Sequence, residues 1–335
     1  MNTQWFPNFT SFISSSNASD SIQVDFDKQA ELFRGPYMKY TQLSAGNFKG
    51  RLLRVELEQI MVHIEFCNQS IEAQLKAPPN AYVFCIVVEE AGPFSFDGIA
   101  QEKDWVYVVP PNGETTTISP ANGKRLFFSL NRNALAEHKD LANEALEWLN
   151  RLDHHGAYVK SKYFADRLRS HVLSALEVAA EAKSDETMAV VTQSTVFTIA
   201  YALTMAWLKR DAFSDLQRTA TFERYQRARK LLLDRLIQDE IRAFEDDNLS
   251  SLGELGSRRS VELAFSKNVA MGPLAYYRVI RLHRVRRKLM ERERLGQNIG
   301  DIASEEGFLD WSRFSVNYYR QFGERPSDTR RRLRS

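Results

Sequence analysis

Apolar residues change their spacing twice along this chain of 335 residues. Before residue 135 they come in short runs rich in β-branched, leucine and aromatic side chains, at 51–58, 59–66, 81–88, 104–109 and 125–130. Turn clusters such as Pro78-Pro79-Asn80, Pro110-Pro111-Asn112-Gly113 and Asn122-Gly123 separate them. Runs of this length with this punctuation predict strands of a small sandwich or barrel. The first forty-five residues carry weak periodicity, and residues 14–21 read as loose.

From 135 to 215 the period becomes helical. Leu141, Ala145, Leu149 and Leu152 share one face, and Phe164, Leu168, Val172 and Leu176 share another. Residues 187–208 are free of charges and about long enough to cross a bilayer. Seven polar side chains, among them Thr192, Gln193, Ser194 and Thr195, argue against a span. Val190, Ser194, Phe197, Tyr201, Met205 and Leu208 fall on one face, which predicts a helix buried in a bundle or a dimer interface. Ser184-Asp185-Glu186 reads as a turn with a cap, and a helix over 222–237 leads into the last part of the chain.

The last eighty residues hold two helix-turn-helix patterns. In the second, Ile299, Ile302 and Ala303 give a short helix one buried stripe, and Gly307 supplies a tight turn. Phe314, Tyr318 and Phe322 then march at i, i+4, i+8 along a second helix that starts with polar residues. That is the geometry that puts side chains in a major groove. In the first pattern, Ser257 is an N-cap for a helix that packs Val261, Ala264 and Phe265 and leaves Arg258, Arg259 and Glu262 free. Its partner helix is expected in 249–256, where two glycines keep it short. Between the two patterns, Pro273 opens a helix with Val279, Leu282, Val285 and Leu289 on its buried face and basic residues elsewhere. From Leu274 to Met290 it spans roughly 25 Å, a strut that holds two recognition helices about one DNA turn apart.

Charge sharpens the picture. Residues 257–335 carry 18 Lys+Arg against 9 Asp+Glu, whereas 1–256 carry 27 against 34. A near-neutral total therefore hides a basic module on an acidic remainder, which suits one part bound to phosphates and another that is not. Arg330 to Arg334 read either as a phosphate-contacting tail or as a loose end.

The run Met271-Gly272-Pro273, Arg281-Leu282, Ile299 to Ala303, Gly307-Phe308, Phe314-Ser315 and Phe322-Gly323 with Pro326-Ser327 strongly resembles the AraC/XylS family of bacterial transcription regulators. The resemblance covers about residues 220–332. It departs at 252–257, where the family usually has a residue or two more and a single glycine before the serine. It implies base-edge contacts from Arg259, Glu262, Ser312, Arg313, Ser315 and Val316, and phosphate contacts from Arg258, Arg278, Arg281, Arg286 and Arg325. Leu263 and Val316 sit where relatives often carry polar readers, so they touch thymine methyls or no base. The implied architecture is α+β, in three parts: a cupin-like β-rich sensing domain (1–134), a helical connector and dimerisation region (135–215), and an all-α double helix-turn-helix domain (216–335). The implied partners are promoter or operator double-stranded DNA, RNA polymerase, a small-molecule effector and a second copy of the chain. Activation in the cytoplasm, at the nucleoid, follows from the same resemblance.

Little points to other chemistry. Cys67 and Cys85 have no metal or disulfide spacing and sit in apolar runs, as buried inert thiols do. His63-Ile64-Glu65 is the only hint of a metal-binding barrel, and a lone strand histidine is more often structural. No nucleophile elbow, P-loop or dinucleotide fingerprint is present, so no enzyme, cofactor or metal is expected. The start, Met1-Asn2-Thr3-Gln4-Trp5, lacks the pattern of a secretion signal, and no membrane partner is expected. Two rivals are a nonspecific architectural DNA-binding protein and an alkylation-repair regulator, the latter disfavoured by two cysteines where several are needed. Phe84, Phe94, Phe96, Trp105, Tyr107 and Phe128 fit an apolar effector pocket and ordinary core packing equally well.

Overall fold

In the computed structural model, which describes residues 18–89, 92–152, 154–182, 184–209, 212–215, 218–237 and 255–333, the apolar runs pair into two antiparallel sheets. The larger has the order β1 (Ala18–Gln23), β3 (Gly50–Leu57), β4 (Ile60–Cys67), β11 (Gly123–Asn131), β6 (Ala81–Glu89), β9 (Trp105–Val109), β12 (Ala157–Lys160) and β13 (Ala212–Asp215). The smaller runs β2 (Tyr37–Gln42), β5 (Ile71–Lys76), β10 (Glu114–Ser119), β7 (Phe94–Phe96) and β8 (Ile99–Gln101). Around them lie α1 (Phe26–Glu31), α2 (Arg132–Ala136), α3 (Lys139–Arg151), α4 (Lys162–Glu181) and α5 (Asp185–Leu208). The chain then continues through α6 (Ala220–Ile237), α7 (Arg258–Val269), α8 (Pro273–Leu289), α9 (Ile299–Glu305), α10 (Trp311–Phe322) and α11 (Pro326–Arg331).

These elements form two compact units, one of residues 1–40, 49–68 and 73–217, the other of 41–48, 69–72 and 218–335. All five strands expected from the sequence are present. The stretch expected to be loose is partly a strand, since β1 pairs with β3 from Ala18↔Val55 to Gln23↔Gly50; residues 14–17 lie outside the described ones. Nor is 135–215 a separate domain. It contributes β12 and β13 to the large sheet, and α3, α4 and α5 share one apolar core with that sheet's strands.

The two-residue period of the central strands divides the large sheet's faces. Val62, Ile64, Phe84, Ile86, Leu126 and Phe128 point to the helices and join Phe164, Leu168, Val172 and Leu203 in a continuous core. The opposite face is polar at its centre. Arg125 pairs with Glu65, and both are buried. Tyr40 and Gln29 also donate to Glu65, and Arg125 reaches Thr117 of β10 at 3.0 Å. A buried ion pair holds only when its remaining hydrogen-bonding capacity is met, and these donors meet it. Most of the expected pocket aromatics are core: Phe84 stacks on Phe128 at 4.8 Å and Phe96 on Tyr107 at 4.5 Å.

One expectation is reversed. On α5, the face of Val190, Phe197, Tyr201 and Leu208 is exposed, and the buried face holds Val191, Val196, Ile199, Ala202, Leu203 and Ala206. Both sides are apolar, so spacing alone does not choose between them; the side with small residues packs more closely. Thr192, Thr195 and Thr204 satisfy their hydroxyls on carbonyls one turn back. By length and composition this helix could also cross a membrane.

His63 lies beside Glu65 on the polar face and stacks on Phe33 at 4.7 Å, while its Nε2 accepts from the Arg34 backbone N–H. Burial, helped by Arg54, pushes its pKa down to about 3. A depressed histidine is neutral when folded and protonates once unfolded, so its stabilisation is complete above the ordinary value of 6.5 and fades as pH falls toward 3. Between pH 7 and pH 5 the free energy of unfolding is expected to fall by about 2 kcal/mol more in the parent than in His63→Gln. Urea titrations at the two pH values that give equal falls would refute this assignment.

Candidate nucleic-acid interface

The second unit builds its outward surface on a locked interior. In α10, Asp310 caps the first turn by accepting from the Arg313 N–H at 2.9 Å. Phe314, Tyr318 and Phe322 are buried at the expected spacing and pack ring against ring, with Phe308 joining at 5.1 Å from Phe314. Gly307, at φ 74, makes the turn after α9, whose Ile302 and Ala303 are buried. With one side of α10 held this way, Ser312, Arg313 and Val316 stand in solvent and Ser315 is half-buried. Trp311 and Tyr319 are exposed beside them. These two large side chains were not singled out from the sequence, although 312, 316 and 319 share a helical face.

The helix of the first pattern is α7. Ser257 caps it as expected, accepting from the Ser260 N–H, and Val261, Ala264 and Phe265 are buried. Arg258, Arg259, Glu262 and Leu263 face solvent, with Arg258 held to Glu262 at 2.9 Å. The helix expected before it falls largely outside the described residues, which resume at Leu255. The strut is α8, 17 residues opened by Pro273, and its expected seam of Val279, Leu282, Val285 and Leu289 is buried.

Two of the five phosphate assignments are corrected. Arg281 is buried, donates from Nε to the Glu306 carbonyl at 2.5 Å, and lies 4.5 Å over the Phe308 ring. Arg286 is 2% exposed, 3.6 Å from Glu324 and over Phe322. Both point inward from α8 and brace the helices that follow it. Arg258, Arg278 and Arg325 remain on the surface. Arg278 and Arg313 line one cleft of about 470 Å³, with Tyr277, Asp310 and Asn317. A predicted phosphate contact and a predicted base reader thus meet at the start of α10.

Residues 256–332 match the helix-turn-helix domain family. The Regulatory protein HrpB of Ralstonia nicotianae is 31% identical over 106 residues, 32% of this chain and 21% of that protein. The XylDLEGF operon transcriptional activator of Pseudomonas putida is 37% identical over 89 residues, 26% of this chain and 28% of that protein. Among solved structures, the AraC-like transcriptional activator CuxR aligns over 86% of this chain with 14% identity and a TM-score of 0.39. ToxT from Vibrio cholerae aligns over 82%, with 14% identity and a TM-score of 0.30. Residues 256–332 are thus a helix-turn-helix domain, and the chain is similar to these bacterial regulators over about a quarter to a third of its length. The chain spans between a fifth and three tenths of these two curated relatives.

The buried face of α10 is what fixes which of its residues face outward. Truncating Phe314→Ala is expected to destabilise the protein by about 3–5 kcal/mol, read as a lowered unfolding midpoint. An unchanged midpoint would show that this face is not core.

Proposed function

We propose that the chain is a sequence-specific DNA-binding transcription regulator that acts as an activator, with its first unit responding to a small effector. The observation that carries this reading is the division of α7 and α10. Each is fixed on one side by buried aromatic and aliphatic residues and bears Arg259, Glu262 or Ser312, Arg313 and Val316 on the open side. In this reading Arg259, Glu262, Ser312, Arg313, Ser315 and Val316 read bases, and Arg258, Arg278 and Arg325 hold phosphates. Activation is carried over from relatives named as transcriptional activators, and contact with RNA polymerase is the partner that activation calls for. A protein that works on promoters works in the cytoplasm, at the nucleoid.

One cleft in the first unit supports effector binding there. A cleft of about 750 Å³ joins apolar Val87 and Phe94 to charged Lys103, Lys162, Asp166 and Arg169. Pairing of two chains is supported by α5, whose exposed Phe197 and Tyr201 stack against each other at 6.4 Å with Val190 and Leu208 along the same helix. An apolar row of this kind is a usual protein contact surface. Phe197→Glu is expected to turn a dimer into a monomer in sedimentation without loss of helix content; an unchanged mass would remove α5 as the contact.

Arg313→Ala is expected to lose about 1–3 kcal/mol of discrimination at one base step of the operator, with little effect on random DNA. Binding titrations over single-base operator variants check this, and full retained discrimination would reject Arg313 as a reader. The architectural reading predicts the opposite for the parent: no large affinity ratio between operator and random DNA, where a specific reader keeps about 10³ or more.

A further inference from the structure

The second unit contains two short stretches from far upstream, and their contacts are directional. Residues 41–48 and 69–72 first tie to each other. The Leu43 N–H donates to the Ser70 carbonyl at 2.8 Å, and the Ser70 N–H to Ser44 Oγ at 2.8 Å. Gln69 Nε2 reaches the Asn47 carbonyl at 3.0 Å. From this small platform two anchors extend. Gln42 exchanges hydrogen bonds with Gln321 of α10: its Nε2 donates to the Gln321 carbonyl and its own carbonyl accepts from Gln321 Nε2, both at 2.9 Å. The same Gln42 carbonyl lies 3.0 Å from His283 Nε2 of α8, and the Gly46 N–H donates to the Gln321 carbonyl at 3.1 Å. Asn47 sits so close to Gly323, at φ +68, that a Cβ there would fall 1.3 Å from Asn47 Oδ1.

The other anchor is Glu72, 1% exposed. Its Oε1 accepts from Tyr225 at 2.6 Å and pairs with Arg229 at 3.0 Å, both on α6; its Oε2 accepts from Tyr276 at 2.6 Å, on α8. Thus Glu72 is held by α6 and α8, on the side of the first helix-turn-helix, and Gln42 by α8 and α10, on the side of the second. Both anchors also reach α8, the helix between the two halves. Buried charged contacts add little net stability compared with apolar packing, and they are better at fixing position. The groups gripped, Tyr225, Tyr276, His283 and Gln321, are all buried, whereas the readers of α7 and α10 face solvent.

We propose that residues 41–48 and 69–72 form a clip that sets the spacing of the two helix-turn-helix halves, with Glu72 and Gln42 as positioning residues for operator recognition. The inference rests on the reading of the chain as a two-site DNA reader. Because Gln42 ends β2 and Glu72 lies within β5, a shift of either strand is passed to the anchors through the chain itself.

The test uses the full chain with Lys267→Cys on α7 and Arg320→Cys on α10, both exposed, carrying spin labels; Cys67 and Cys85 are buried. The label-to-label distance distribution is expected to be narrow and to widen about twofold with Glu72→Gln, which keeps the side chain's size and removes its charge. In parallel, on an operator selected from random DNA, the unlabelled parent is expected to lose affinity about tenfold when one base pair is inserted between half-sites, and Glu72→Gln about threefold or less. Discrimination within each half-site is expected to stay unchanged. Identical label distributions in parent and variant overturn the clip, whatever the DNA shows. A parent that prefers no sequence overturns the proposed function and leaves the labels to decide the clip. Should Glu72→Gln fail to fold, Tyr225→Phe takes its place; failure of both to fold marks a purely stabilising role and overturns the proposal.

Discussion

The second unit depends on burying α8 around most of its circumference. Eleven of its 17 residues are buried, including Arg281, His283 and Arg286. A helix so enclosed cannot rely on apolar residues alone, because its neighbours bring their own chain ends and turns. Arg281 therefore closes the turn after α9 through the Glu306 carbonyl, and Arg286 faces Glu324 after α10. Desolvating a guanidinium is expensive, and each of these is compensated by a hydrogen bond or a charge together with an aromatic face. The outward residues of α10 face solvent because the inward ones are fixed in the core.

The first unit solves a related problem differently. One face of its large sheet is covered by α3, α4 and α5 and is wholly apolar at the centre, which supplies most of its hydrophobic burial. The other face holds Glu65, Arg125, Tyr40 and Gln29 as a closed network, with the Cys67 thiol beside it. Burial, and then the adjacent Glu65, push that thiol's pKa well up, which keeps it protonated and unreactive. The histidine that alone hinted at a metal-binding barrel instead stacks on Phe33, while Glu65 is engaged by Arg125.

What the amino-acid sequence disclosed follows from how local each cause is. The spacing of Phe314, Tyr318 and Phe322, the cap at Ser257 and the turn at Gly307 act within a few residues, and all were legible. So was the core face of α4, where Phe164, Leu168, Val172 and Leu176 are each almost fully buried. Strands β12 and β13 were hidden because each is only four residues long and follows helical surroundings. The α5 face was misassigned because a helix apolar on both sides has no preferred stripe. Arg281 and Arg286 read as surface cations since their partners at Glu306 and Glu324 lie one or two elements downstream. Glu72 and Gln42 were invisible for the same reason on a larger scale, with Tyr276 and Gln321 hundreds of positions away.

A cut at residue 218 follows the sequence boundary of the C-terminal region but not the physical one. Such a fragment would carry Tyr225, Arg229 and Tyr276 without the carboxylate that receives them, and a bare Gly323 where Asn47 now rests. Its cations would lose a neutralising neighbour and several hydroxyls would turn to water. Excised, the carboxy-terminal third is a different object from the same residues in the whole polypeptide.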